Sequence, residues 1–239
     1  MVNINCISLI KAAHSSFSCA PLGTINKRHM TLLQQLQENK GTVSSALGKQ
    51  LAIDVLHGNK NLLSEALKLI HFDDKNVRSG SAKIIEKVAE SKPELIAPHL
   101  SELIECMNYE EAQTRWMVLH IAGLCAKFQP KISRDLFHEA VNYLDKKHGT
   151  VLNDRAITYF GYMGAVSNKD CNNSFPHLIN SFSRHPNRAT RIFESFERML
   201  NKLNEEQKET LLKITNKYKT DKKPSNVSWA KKLLKKLCA

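Results

Sequence analysis

Four arginines, Arg78, Arg115, Arg155 and Arg191, stand near the starts of helical patterns, 37, 40 and 36 residues apart. Guanidinium groups repeated along one face would clamp a string of phosphates or acidic side chains, because each offers a planar fork of N–H donors. Arg188 falls beside the last of them, so the candidate binding residues are Arg78, Arg115, Arg155, Arg188 and Arg191. A second candidate lies near the C-terminus, where Trp229, Leu233 and Leu237 recur every four residues and Lys231, Lys232, Lys235 and Lys236 take other positions. Such a basic amphipathic helix can lie on a membrane, enter a partner's groove or cover the open end of a helical stack.

Charge is spread in keeping with this. Thirty-five Lys and Arg against 23 Asp and Glu give a net charge of +12. From Met199 to Ala239 eleven lysines face Glu205, Glu206, Glu209 and Asp221, a balance of +7. A basic end raises encounter rates with nucleic acid, anionic membrane or acidic protein without choosing among them.

Other chemistry is not indicated. The chain has no Gly-rich phosphate loop and no GxSxG, and no Cys/His or paired-carboxylate spacing is brought into register by its periodicity, so no catalytic residue is assigned. His138-Glu139 lacks the second histidine of a zinc-protease helix, and no Cys/His cluster has metal-ligand spacing. Neither metal nor cofactor is expected. The six cysteines, Cys6, Cys19, Cys106, Cys125, Cys171 and Cys238, form no CxxC pair, and scattered thiols of this kind fit a reducing cytoplasm.

The elements that carry these residues recur. Arg78 is followed by Pro93, Leu100, Leu103, Ile104 and Met107, and each has a counterpart 37 residues on, at Arg115, Pro130, Phe137, Ala140, Val141 and Leu144. Each proline belongs at the first position of a helix, where its missing N–H would have had no partner. A fixed period in this range marks a helical solenoid. Nine Gly, seven Pro and the lack of alternating β-branched runs favour helix nearly throughout.

Over residues 60–203 the chain resembles the HEAT-repeat family, whose units are two antiparallel helices with an Asp and an Arg near the inner turn. Asp74 with Arg78 and Asp154 with Arg155 carry the resemblance, while Arg115 follows Glu110 and Glu111 and Arg191 has no acid close before it. It implies an all-α fold, an α-α superhelix of armadillo-like kind. It also gives the repeated arginines a structural role, since the equivalent residue in HEAT repeats bonds acids and helix-end carbonyls within and between units. In length, charge and helical make-up the chain is also similar to the AlkD-like DNA glycosylases, which use an Asp with tryptophans around the lesion. Here only Trp116 and Trp229 occur, and Asp73, Asp74, Asp135 and Asp154 stay equivalent as candidates.

Three segments follow: 1–26 without repeat character, 27–219 as HEAT-like repeats, and 220–239 as a linker leading into the basic helix. Helices are expected over 27–37, 43–56, 115–128, 132–144, 152–166 and 205–217, the last capped by Asn204 with Gln207 three residues on. The Asn-rich stretch 167–174 reads as a loop. Tyr159, Phe160, Tyr162 and Met163 read as core with at most one outward face, and Gly123, Gly161 and Gly164 as places where helices approach closely. No run of about 18 apolar residues could span a membrane, and the start lacks the basic residues of an export signal. The expected function is a non-enzymatic scaffold or adaptor that holds an acidic or extended protein partner on the concave face of the solenoid. The alternative is nucleic-acid binding, with or without base-excision chemistry. Oligomeric state is open.

Overall fold

The side chain of Asp74 accepts a hydrogen bond from the Asn76 amide at 2.7 Å and starts a helix of 17 residues. That helix shows how the rest of the chain is built. Val77, Ala82, Ile84, Ile85, Val88 and Ala89 are all fully buried, a face too broad for one partner. It stops at Lys92 because Pro93 opens the next helix, and Pro130, 37 residues later, opens another in the same way.

A computed structural model describes residues 30–39 and 45–238. The expectations for residues 1–26, and those for 27–29 and 43–44, lie outside the described residues. Residues 31–239 cluster as one unit. Its helices are α1 (Leu32–Glu38), α2 (Ser45–Leu56), α3 (Lys60–Leu69), α4 (Lys75–Ser91), α5 (Pro93–Ile96), α6 (Leu100–Glu105), α7 (Ala112–Cys125), α8 (Pro130–Asp135), α9 (Phe137–Tyr143), α10 (Thr150–Gly164), α11 (Asn168–Arg184), α12 (Ala189–Met199), α13 (Glu205–Lys217) and α14 (Pro224–Leu237). Short 3₁₀ turns join several of them, and no strand occurs among the described residues.

The packing follows chain order. One row runs α2, α4, α7, α10, α12, α14, each helix against the one before. The intervening helices flank it: α3 on α4, α6 on α7, α9 and α11 on α10, α13 on α14. Tyr159, Phe160, Phe193 and Phe196, fully buried, fill the space between α10, α12 and the flanking helices. Several polar groups inside are satisfied across neighbours. Ser133 Oγ donates to the Ala122 carbonyl at 2.8 Å, Tyr159 Oη to the Ser133 carbonyl at 2.6 Å, and Ser195 Oγ to the Ile157 carbonyl at 2.9 Å. The last bond lies where Gly161 lets α10 and α12 close up: a Cβ there would stand 2.7 Å from Ser195 Cα.

The structure agrees with most of the expected elements. Helix α7 is buried nearly all round, the Asn204–Gln207 capping box is formed, and Tyr159, Phe160 and Met163 are core while Tyr162 is half-buried. Two expectations are corrected. Residues 168–174 are the first turns of α11 and not a loop: Ser167 caps the helix, Asp170, Cys171 and Ser174 are buried with Leu178 and Phe182, and the asparagines Asn172 and Asn173 lie on the exposed side. The C-terminal helix begins at Pro224, so the expected linker over 220–227 is shorter, and its buried positions are Asn226, Ala230 and Leu233. Trp229 and Leu237 are only half-buried.

Candidate interaction surface

The side chains that line the outward edge of the row, or lie directly beneath it, come from helical positions three, four or seven apart. Helix α4 supplies Lys83, Glu86 and Glu90, α7 supplies Trp116 and His120, α10 Arg155 and Tyr162, and α12 Arg198. This spacing stacks residues on one side of a helix. Because the row helices lie side by side, the four sets meet.

Glu86 is the centre of the first group. Its carboxylate is fully buried and accepts from Lys83 Nζ at 2.6 Å, from Arg155 Nη2 at 2.9 Å and from His120 Nδ1 at 2.8 Å. Burial alone would raise its pKa. The His120 hydrogen bond and the charges of Arg155 and Lys83 outweigh burial and hold the carboxyl at about 2. His120 is shifted downward, by burial first and by the charge of Arg155, against the opposing hydrogen bond to Glu86. The downward shift favours the neutral ring, and in the tautomer with the proton on Nδ1 that proton is donated to Glu86. Arg155 Nη1 lies 2.9 Å from the same nitrogen and acts there as a nearby charge.

Trp116 stands beside this group with two cations over its ring, Lys83 Nζ at 4.5 Å and Arg155 Cζ at 5.0 Å from the centroid. The line continues through Tyr162, whose centroid is 6.5 Å from that of His120 and which carries Arg198 Cζ at 4.7 Å. One buried nitrogen of Arg198, Nη1, has no hydrogen-bond partner. A continuous strip of cations and aromatic rings thus crosses α4, α7, α10 and α12, each member partly exposed. Cations held over rings in this way gain about 0.5–2 kcal/mol and keep part of their charge available to a ligand.

Glu86, Glu90 and His120 also bring potential metal-ligand atoms within 4.8 Å of one another. Lys83 and Arg155 already occupy the space around the Glu86 oxygens. A divalent ion would have to expel two positive groups, so this trio serves an ion-pair network and does not form a metal site.

The sequence candidates fall in different places. Arg78 forks onto Glu111 at 2.6 and 2.9 Å, donates to the Phe72 and Asp73 carbonyls at 2.8 and 2.7 Å, and lies 4.4 Å over the Tyr109 ring. Arg115 is half-buried, donates to the Glu110 carbonyl at 3.2 Å and leaves its Nε without a partner. Arg155 belongs to the strip. Arg188 Nε lies 3.2 Å from Asp154, and exposed Arg191 pairs with Glu194 at 2.7 Å. Lys232 and Lys236 both bind Glu197 of α12, at 2.8 and 2.5 Å, while Lys231 and Lys235 are exposed. The structure therefore brings Arg155 into the strip, gives Arg78 and Arg115 contacts of their own, and gathers Arg188 and Arg191 near Asp154.

Among the four aspartates, Asp74 caps α4, Asp73 and Asp135 are exposed, and Asp154 is half-buried, its pKa raised by burial despite Arg188 and Arg191. Sequence reasoning missed Lys83, Glu86 and His120, and also Arg134, which forks onto Asp170 at 2.7 and 2.9 Å. A signal existed for Glu86 and His120: each is a polar residue inside an apolar run, and His120 and Arg155 follow Glu86 after 34 and 69 residues, close to the spacing of the repeats.

No family model and no curated protein matches the chain. Its fold is similar to that of an engineered protein whose crystal structure was solved by the Northeast Structural Genomics Consortium. The two are 11% identical, with a TM-score of 0.54 over 87% of this chain and 97% of that one. At this identity the likeness concerns fold alone. Among the described residues no helix is long and apolar enough to cross a membrane.

Proposed function

We propose that the chain is a HEAT-like α-solenoid of antiparallel helix pairs that works as a non-enzymatic scaffold, holding an extended, acidic protein partner along the outward edge of the row. The observation that carries this reading is the strip of Lys83, Trp116, Arg155, Tyr162 and Arg198 over four successive helices. An extended chain laid across the row would meet a cation or a ring on each of the four helices, and acidic side chains would find Arg198 partly exposed and in no ion pair with a described residue. The ordered contact of each row helix with the next supports the solenoid architecture. Burial pushes the Cys106 and Cys125 thiols up to about 12 and Cys171 to about 11, which suits unreactive, reduced cysteines in a cytoplasmic protein.

Nucleic-acid binding is the second reading, favoured by the same rings, since a base can stack on an aromatic side chain that also lies beside a cation. Fluorescence anisotropy with a labelled poly-glutamate peptide and with single-stranded and duplex DNA and RNA, at low and physiological salt, separates the two. Arg198→Glu with Tyr162→Ala should abolish peptide binding. Tight nucleic-acid binding that falls steeply with salt and is lost in the same variant would replace the first reading with the second. Binding unaffected by the variant would overturn both assignments to this surface.

A further inference from the structure

We propose that the groove between α2, α3 and α5 is a separate docking site, suited to an acidic amphipathic helix of a partner protein. Its floor is made by Leu56 at the end of α2, by Leu63 and Leu67 one turn apart on α3, and by Leu95 in the first turn of α5. The space measures about 380 Å³, at the lower end of the roughly 300–1,000 Å³ of ligand-binding clefts and enough for a few apolar side chains. Leu95 is 39% exposed, although the next residues, Ile96 and Ala97, are buried. Leu95 therefore adds an exposed apolar side chain to the continuous lining that Leu56, Leu63 and Leu67 form, and it is the contiguous lining that a partner can cover.

The rim fixes the partner's charge. Lys60 starts α3, Lys92 stands at the N-cap of α5 and His99 closes the following turn. Both lysines are exposed, neither forms an ion pair with a described residue, and among the described residues no carboxylate lines the groove. An apolar trough bordered by unpaired ammonium groups complements a helix with leucine-type side chains at i, i+3 and i+7 and carboxylates flanking them. The net charge of +12 favours encounter with the same partner. This surface is distinct from the strip on α4, α7, α10 and α12 and does not depend on what binds there.

The test uses the full chain and three fluorescein-labelled helical peptides, one with Leu and Glu at helical spacing, one with Lys for every Glu, and one with Ser for every Leu. The Leu/Glu peptide should bind at least about tenfold more tightly than either control. Leu95→Glu should abolish that binding, and Lys60→Glu with Lys92→Glu should transfer the preference to the Leu/Lys peptide. All three changes are at exposed positions, and circular dichroism would verify the fold. Absence of binding, equal binding of the peptides or full binding by Leu95→Glu would overturn the inference. Loss of binding only on concentration-dependent dimerisation would make the groove a self-association face and overturn it too. If Arg198→Glu removed the peptide while Leu95→Glu did not, the strip reading would stand and the groove would not.

Discussion

Arg155 of α10 reaches across α7 to Glu86 of α4, placing Nη2 2.9 Å from Oε1, so that one ion pair fastens three consecutive row helices. On the way its guanidinium lies between Trp116 and His120, one helical turn apart on α7. Removing one partner from a buried charged network leaves the others uncompensated, at a cost of about 3–5 kcal/mol. Arg155 and Lys83 retain 24% and 13% exposure and can regain some water, so Glu86→Gln should lose about 3 kcal/mol. Urea unfolding would measure it. A loss within about 0.5 kcal/mol would mean that the network holds nothing together.

Acid should weaken the fold in two stages. The folded pKa of His120 lies below its ordinary value, so as pH falls below about 6.5 the unfolded chain takes up a proton that the folded chain refuses. Stability is therefore lost on that descent. Glu86 is the complementary case: its folded value of about 2 against 4.5 means that its contribution is complete above 4.5 and disappears as pH falls toward 2. Melting temperatures from pH 7 to pH 3 should fall throughout; His120→Gln should flatten the upper part and, by changing the hydrogen bond that holds the Glu86 carboxyl down, alter the lower part as well. An unchanged upper limb in that variant would assign the titration to another group.

The repeated arginines should not be equivalent. Arg78→Ala breaks a forked bond to Glu111 and strands the Phe72 and Asp73 carbonyls, with an expected loss of about 2 kcal/mol. Arg191→Ala removes an exposed pair one helical turn long and should cost less than about 0.5 kcal/mol. Arg78→Lys should rescue little, because an ammonium cannot serve the carboxylate fork and two carbonyls together. Thermal unfolding of the three variants would show the order, and equal losses for Arg78→Ala and Arg191→Ala would contradict it.

Gly161→Ala is expected to destabilise by about 1–3 kcal/mol, even though alanine gains about 1 kcal/mol of helix propensity. The new methyl would meet Ser195 at Cβ and at Cα, and backbone cannot step aside. Gly164→Ala would meet the Cε and Sδ end of Met199, which can rotate away, so its effect should be smaller. Denaturant midpoints for both would decide, and the reverse order would mean that α12 yields more readily than the Met199 side chain.

The two prolines at a common offset from Arg78 and Arg115, the all-round apolar α7 and the Asn204–Gln207 box were legible because each is a local property of backbone and helix periodicity. So was the basic end of the chain, by simple count. The start of α11 was not. Its asparagines carry turn propensity, and only burial of Cys171, Leu178 and Phe182 against neighbouring helices overrides it. The role of the arginines lay further beyond reach. Arg78, Arg155 and Arg191 occupy similar repeat positions, yet one ties off a turn, one pins a buried glutamate across two helices, and one stays at the surface. Chain periodicity sets which side of a helix a residue takes. Which carboxylate it meets is decided by the helix packed beside it, and Glu86, His120 and Arg155 become one group only when α4, α7 and α10 lie side by side.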